Sequence, residues 1–462
     1  MKLCLAPAVM GFICVFMSHL PHPAHADGTA PPVTMYRLTA QSQAGELTRV
    51  EAHLEVGGDL RFTSGAEVIT RPLSVVAELI YDERQLTADA GLQRTLRCYE
   101  QAEATIKVDK SALQPQLRDD RRLVLAQHEG GELTLASTQN PLNRDELDLI
   151  DMLADPLMLE QLLPTDPVAI GESWNHEAAA MKSLLGLDAV AHCEVESLLA
   201  KVEDDVAEVM LAGTVQGAAE GVTTEIQLKA RYHFDLTIKQ IVGLTLAVKE
   251  QRAIGHVGPG LDIVAKLRLK MAPIDSSDRL GDAVAAGLPA EASSQLVRLE
   301  HQSGSGDFRF LCDRRWYVTS DEPALVVLRL IDRGDLLAQC NLSPIAPKSA
   351  ENRISLAQYQ IEVKHTLGKN FGRVISAGEW TDSHGQLVYR VTAQGQVDEL
   401  PIEWRYYLVH HADGRRVAIA FTVEAALASR LGDADRQLVD TLQLLPLPKQ
   451  PKATAAKSSV QR

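Results

Sequence analysis

The densest group of titratable side chains in the sequence is His410-His411 beside Asp413. Imidazole next to carboxylate suits metal ligation, or a base held by an orienting acid. The run 401–423 around them is β-prone and is split by Asp413-Gly414, a hairpin signal. Neighbours on a strand point to opposite faces, so the two rings cannot converge on one metal or one proton. A structural role is expected for them. His176-Glu177 opens like a metalloprotease motif, but no second histidine follows four residues on. Ser303-Gly-Ser-Gly-Asp307 is glycine-rich like a phosphate loop, yet it lacks the lysine and the following helix, which fits a hairpin loop. No Gly-x-Ser-x-Gly elbow is present. Asp145, Glu146, Asp148 and Asp151 fall on a predicted helix. Calcium would need loop oxygens at alternating positions, so a solvated face is expected. No catalytic, cofactor-binding or metal-binding residue is assigned, no cofactor is expected, and the chain is read as non-enzymatic.

Six cysteines reduce to Cys98, Cys193, Cys312 and Cys340 beyond residue 26. None has zinc-finger or CxxC spacing. Cys312 continues the Phe308/Phe310 face and Cys340 the Leu336/Ala338 face, so both are expected in strands of one sheet, pointing into the core. A Cys312–Cys340 bridge is the candidate disulfide, and four free buried thiols are the alternative.

These residues need a scaffold. At 462 residues, with 45% apolar and 23% charged content, the chain reads as a globular protein of two or three domains. Residues 1–26 read as a secretory signal peptide: Lys2, an apolar stretch, and Ala24-His25-Ala26 before the cut. Later apolar runs fall short of the ~20 residues of a membrane span. The mature product is expected to be soluble, periplasmic or extracellular. The formal charge of -15 argues against a nucleic-acid partner, and Lys449, Lys452, Lys457 and Arg462 make a basic tail over 448–462.

The spacing predicts a β-rich first domain over 27–272. Strands are expected over 35–64, with a turn at Gly57-Gly58, and over 72–88. A hairpin turns at Gly130-Gly131, while 94–106 is ambiguous between helix and strand. Asn143 caps a helix with Leu147, Ile150 and Leu153 on one face, and short helices follow at 157–163 and 178–185. Five runs from 189 to 271 predict an antiparallel meander curling into a half-barrel. Residues 273–293 read as a linker. A second domain over 294–447 is expected to be an antiparallel sheet covered by helices at 353–367 and 433–444. The fold class is therefore α+β. A two-residue turn at Asp413-Gly414 would set Trp404 opposite Val423, Tyr406 opposite Phe421 and Tyr407 opposite Ala420.

With that element order, Phe308-Arg-Phe-Leu-Cys-Asp-Arg-Arg-Trp-Tyr317 entering a meander resembles the PsbP-like superfamily. So do Leu337-Ala-Gln-Cys-Asn341 and Ile402-Glu-Trp-Arg-Tyr-Tyr407, as found in uncharacterised exported bacterial proteins. The resemblance implies a helix-covered α/β/α sandwich and a non-catalytic binding or assembly role. The first domain is similar to secreted bacterial domains of unknown function that carry a Pro–Gly–Trp signature, here Pro167, Gly171 and Trp174. It is also loosely similar to the half-barrels of lipoprotein carriers. Three functions follow as expectations: a binding or scaffolding protein with an unknown protein or hydrophobic small-molecule partner, a lipid carrier, and an unrecognised hydrolase.

Overall fold

Residues 222–235 show why the first half of the chain is a sheet. Ile226, Leu228, Ala230, Tyr232 and Phe234 are buried, and Glu225, Gln227, Lys229 and Arg231 between them are exposed. Such alternation buries one face of a strand and hydrates the other. The structure is a computed structural model and describes residues 33–446 except 66, 90 and 289–293. The expected leader (1–26) and basic tail (448–462) lie outside the described residues.

In chain order, β1 (Met35–Tyr36) precedes β2 (Leu47–Ser64), β3 (Glu67–Asp89), β4 (Leu92–Val108), β5 (Ser111–Leu113), β6 (Leu123–Glu129) and β7 (Glu132–Ser137). Helices α1 (Arg144–Ile150) and α2 (Pro156–Leu159) follow, then β8 (Val168–Ala169), β9 (Ser173–Asn175) and α3 (Ala178–Leu185). The meander is β10 (Ala189–Glu203), β11 (Val206–Ala219), β12 (Val222–Asp235), β13 (Gln240–Arg252) and β14 (Gly260–Pro273). Among the described residues, all of these strands except β1 and β8 form one twelve-stranded antiparallel sheet. Its order is β7-β6-β4-β3-β2-β14-β13-β12-β11-β10-β9, with β5 beside β4. The path ends at β7 and β9, so the sheet is open.

Two local expectations change. Residues 94–106 lie in β4, because β3 and β6 pair with it on either side; tertiary pairing outweighs an indecisive local propensity. Gly57-Gly58 is not a turn. β2 runs straight through it, with Gly58 opposite Leu73 on one side and Ile263 on the other. Gly58 has φ +147°, and a Cβ there would sit 2.2 Å from the Asp262 carbonyl oxygen. Glycine is needed for the close approach of β14, not for a reversal.

The helices cover the apolar face. Asn143 and Glu146 form a capping box that starts α1, and Asp155 caps α2. Leu147, Ile150, Met158 and Met181 then join Val209, Leu228 and Tyr232 in one core. Inside it lies Arg97, fully buried on β4. Its guanidinium is bidentate to Asp155 at 2.6 and 2.7 Å, and its Nε donates to Glu83 at 2.5 Å. The arrangement ties β3, β4 and the start of α2 together.

After β14, Leu280 is buried against Leu96 and Cys98, and α4 (Asp282–Ala286) follows. Then come α5 (Ser294–Val297), β15 (Leu299–Gln302), β16 (Phe308–Cys312), β17 (Trp316–Glu322), β18 (Leu325–Asp332) and β19 (Asp335–Ile345). Next are α6 (Leu356–Leu367), β20 (Phe371–Thr381), β21 (Leu387–Val397), β22 (Leu400–His410) and β23 (Arg416–Glu424). The last elements are α7 (Ala428–Leu431), α8 (Ala434–Val439) and β24 (Gln443–Leu444). A seven-stranded antiparallel sheet runs β17-β18-β19-β23-β22-β21-β20, and β15-β16-β24 form a small second sheet. Helix α6 starts at a Ser355/Gln358 capping box and buries Tyr359, Val363 and Leu367 against Tyr389, Trp404 and Leu408. The opposite face places Tyr407, Ile419 and Phe421 in the main core with Leu438 and Leu442. Both faces of this sheet are covered.

The β22–β23 hairpin is central, but its register differs from the expected one by one residue. Trp404 pairs with Thr422, Tyr406 with Ala420, Tyr407 with Ile419 and His410 with Arg416. The connection is longer than two residues: Gly414 N donates to His411 O, and His411 N to Arg415 O. That is a type I turn closed by a glycine at positive φ, here +90°. A slip of one residue repartners the strand, so Arg405 and Tyr407 meet Phe421 and Ile419 on the main-core side. There Asp435, fully buried, takes Arg405 at 2.7 Å and Arg390 at 3.0 Å and accepts from the Tyr407 hydroxyl. Gly414→Val should cost about 1–3 kcal/mol, because a β-branched residue resists positive φ. Its Cβ would also sit 2.9 Å from the Lys348 carbonyl oxygen. A thermal melt checks this; an unchanged Tm would remove the turn assignment.

Candidate functional site

Pro164 and Pro167 end the turn after α2 and lead the chain to β8; Gly171 then reverses it into β9. The Pro167–Gly171–Trp174 signature thus builds the edge of the large sheet. Among the described residues β9 is the last strand and pairs only with β10, setting Trp174 opposite Ser197. Beside it lies a groove of about 660 Å³, lined by Leu163, Pro164, Pro167, Trp174 and His176, and continuing to α3. Asp166, Glu172 and Glu177 are exposed on its rim, and among the described residues no Lys or Arg lines it.

Hydrogen bonds hold the groove floor. The Leu162 carbonyl accepts from Trp174 Nε1 at 3.0 Å and from the Tyr232 hydroxyl at 2.9 Å. The Ser197 hydroxyl lies 2.7 Å from His176 Nε2 and 3.5 Å from the Tyr232 oxygen. Burial pushes His176 down to about 4, so the imidazole is neutral at pH 7. A His–Ser pair at this distance has the contact of a nucleophile and its base. Ser197, however, is 0% exposed on the inner face of β10, and its oxygen is enclosed by His176 and Tyr232. The pair therefore positions β9 rather than meeting a substrate.

In the sequence His176 reads only as part of an incomplete protease motif, and Ser197 belongs to no motif. Its signal was a hydroxyl on an otherwise apolar face, between Val195 and Leu199. The other candidates do not converge. His410 is 3% exposed and packs on Tyr389, with ring centroids 5.2 Å apart. Burial first, then Arg353, Arg416 and Lys348, push it down to about 4. His411 lies in the turn, its Nδ1 2.8 Å from Asp413. Ser303 Oγ accepts from the amides of Asp307 and Phe308 and closes the β15–β16 hairpin loop. Asp145, Asp148 and Asp151 are exposed, but Glu146 is not; it is buried at the α1 cap and held by Arg118 at 2.5 and 2.7 Å. Cys312 and Cys340 are buried, in two different sheets rather than one, and all four described cysteines carry free thiols. Burial raises the Cys312 thiol to about 12, and it also holds the Cys340 thiol well above its ordinary range. Among the described residues no three His, Cys, Asp or Glu side chains gather as a metal site, and no helix is long and apolar enough to cross a membrane.

No family model matches the chain, and no curated protein matches it. Among solved structures, PsbP of the cyanobacterium Synechocystis is similar over 32% of this chain and 92% of its own, at 12% identity and a TM-score of 0.27. A Pseudomonas aeruginosa protein of unknown function, a putative regulator, is similar over 33% and 98%, at 13% identity and a TM-score of 0.23. The translocator domain of the autotransporter NalP from Neisseria meningitidis covers 82% of this chain and 88% of its own, at 7% identity and a TM-score of 0.13.

A second opening lies where β2, β3 and β13 meet α2. It is small, about 90 Å³, and Glu46, Glu83, Gln93 and Glu160 are among its walls. Helices α1 to α3 occupy the apolar face beside it.

Proposed function

We propose that the chain is an exported, non-catalytic binding protein, periplasmic or extracellular. The groove beside β9 takes an extended, positively charged segment of a partner polypeptide. The observation that carries this reading is an edge strand with one neighbour, opening on a groove whose rim is acidic and has no cation. An extended segment adds to such an edge by main-chain hydrogen bonds, and flanking pockets select its side chains. Half-buried Trp174 offers an apolar anchor, and Asp166 and Glu177 offer charge. A lipid carrier would need the apolar face that α1 to α3 fill. A hydrolase would need a reachable nucleophile, and Ser197 is enclosed. The element order, with helices on both faces of the seven-stranded sheet, supports reading residues 294–447 as a PsbP-like sandwich that scaffolds the assembly.

The test is an array of extended peptides of varied charge, probed with the full chain and with Asp166→Lys/Glu177→Lys. Lysine- and arginine-bearing peptides should be retained by the parent and lost at least tenfold in affinity by the variant, whose Tm should stay unchanged. Indifference to peptide charge, or equal binding by the variant, would remove the groove from the reading.

A further inference from the structure

The outer face of the meander carries a cationic field that the acidic composition hides. Lys229 and Arg231 on β12, Lys249 on β13, and Lys266, Arg268 and Lys270 on β14 are all exposed. The register brings them together. Lys229 and Lys266 lie in one row across Ala247, and Arg231 and Arg268 in the next across Thr245. The field spans about 10 Å across the strands and about 14 Å along β14, from strand spacing and rise. Glu51, Glu55 and Glu208 border it. Lys270 lies 3.5 Å from Glu51 and Arg231 3.6 Å from Glu208. Among the described residues, Lys229 and Lys249 make no ion pair, while Lys266 lies opposite Glu55 and with Arg268 attracts its carboxylate.

A second observation says what this face fits. Leu198, Met210 and Val264 point outward there and are 38%, 38% and 44% exposed. Leu198 and Met210 extend the Arg231–Thr245–Arg268 row, and Val264 sits opposite Lys249. Cations interleaved with apolar side chains on a two-dimensional face suit a headgroup layer with acyl chains beneath it. Among the described residues no aromatic side chain lies among the cations, so they offer no platform for stacking nucleic-acid bases. We propose that the outer face of β12–β14 docks on a membrane surface bearing anionic lipid.

Vesicle co-sedimentation of the full chain tests this, with phosphatidylcholine vesicles alone and with added phosphatidylglycerol, at low and high salt. Binding should require the anionic lipid and fall with salt. Each cation removed should weaken it about fivefold, so Lys229→Glu/Lys266→Glu/Arg268→Glu should weaken it more than about a hundredfold. Leu198→Ser/Met210→Ser should weaken the salt-resistant remainder. These side chains are exposed, and an unchanged Tm confirms that each variant folds. The proposal is overturned by absent binding, by binding to neutral vesicles alone, or by binding that survives the triple reversal but is lost on replacing Lys449, Lys452 and Lys457. Preferential binding of DNA in a gel shift would also overturn it.

Discussion

Arg97→Met is expected to lower the unfolding free energy by about 3–5 kcal/mol, the usual cost of leaving buried charges without a partner. Methionine fills much of the same volume, so packing is largely kept. What is lost is the cation between Asp155, 2% exposed, and Glu83. Urea denaturation at neutral pH reads this as a fall in midpoint at constant slope. The double replacement Arg97→Met/Asp155→Leu removes the most deeply buried pair, leaves only Glu83 without its cation, and should recover most of the loss. About 1 kcal/mol should remain missing, because Asp155 also caps α2 through Leu157 N. If the single variant is as stable as the parent, Arg97 is not what binds α2 to the sheet.

Asp435→Ala is the counterpart in the second half of the chain, with a similar expected loss of about 3–5 kcal/mol. Arg390 would lose its carboxylate, Arg405 would keep only Glu403, and the Tyr407 hydroxyl would lose its acceptor. Asp435→Asn separates the contributions: an amide keeps an acceptor oxygen but not the charge, so its loss should approach that of alanine if charge dominates. Arg405 also donates to the Gly432 carbonyl at 2.6 Å. Hydrogen exchange should therefore show α8 opening in the alanine variant before the β22–β23 ladder does. Uniform exchange across both would contradict this order.

Both buried clusters were invisible in the sequence for one reason. A charged residue within a strand reads as a solvent-facing position, and only the path of a distant helix shows that Arg97 and Arg405 point inward. Periodicity, by contrast, was enough for the meander, where Val222–Asp235 matches the expected run in full and α3 lies where it was expected. The hairpin's existence was legible from Asp413-Gly414. Its register was not, because a three-residue connection uses the same dipeptide and moves every pair by one. Gly57-Gly58 misled for a related reason: glycines that admit a neighbouring backbone look like glycines that turn. Of the candidate groove, the Pro167–Gly171–Trp174 spacing marked the place. The Ser197–Tyr232 floor depended on pairing between strands far apart in sequence.

The ladder between β2 and β14 has a kinetic consequence. It sets Thr48 opposite Pro273 and Arg61 opposite Gly260, so the two halves of the open sheet join only when segments some two hundred residues apart have met. Contacts this distant carry loop-closure entropy before any pairing is gained, and chains that depend on them fold slowly. Until β14 is made, one edge of β2 stays unpaired and open to other chains. A nascent chain therefore passes through an aggregation-prone interval set by topology, and whatever shields that edge governs the yield of folded protein.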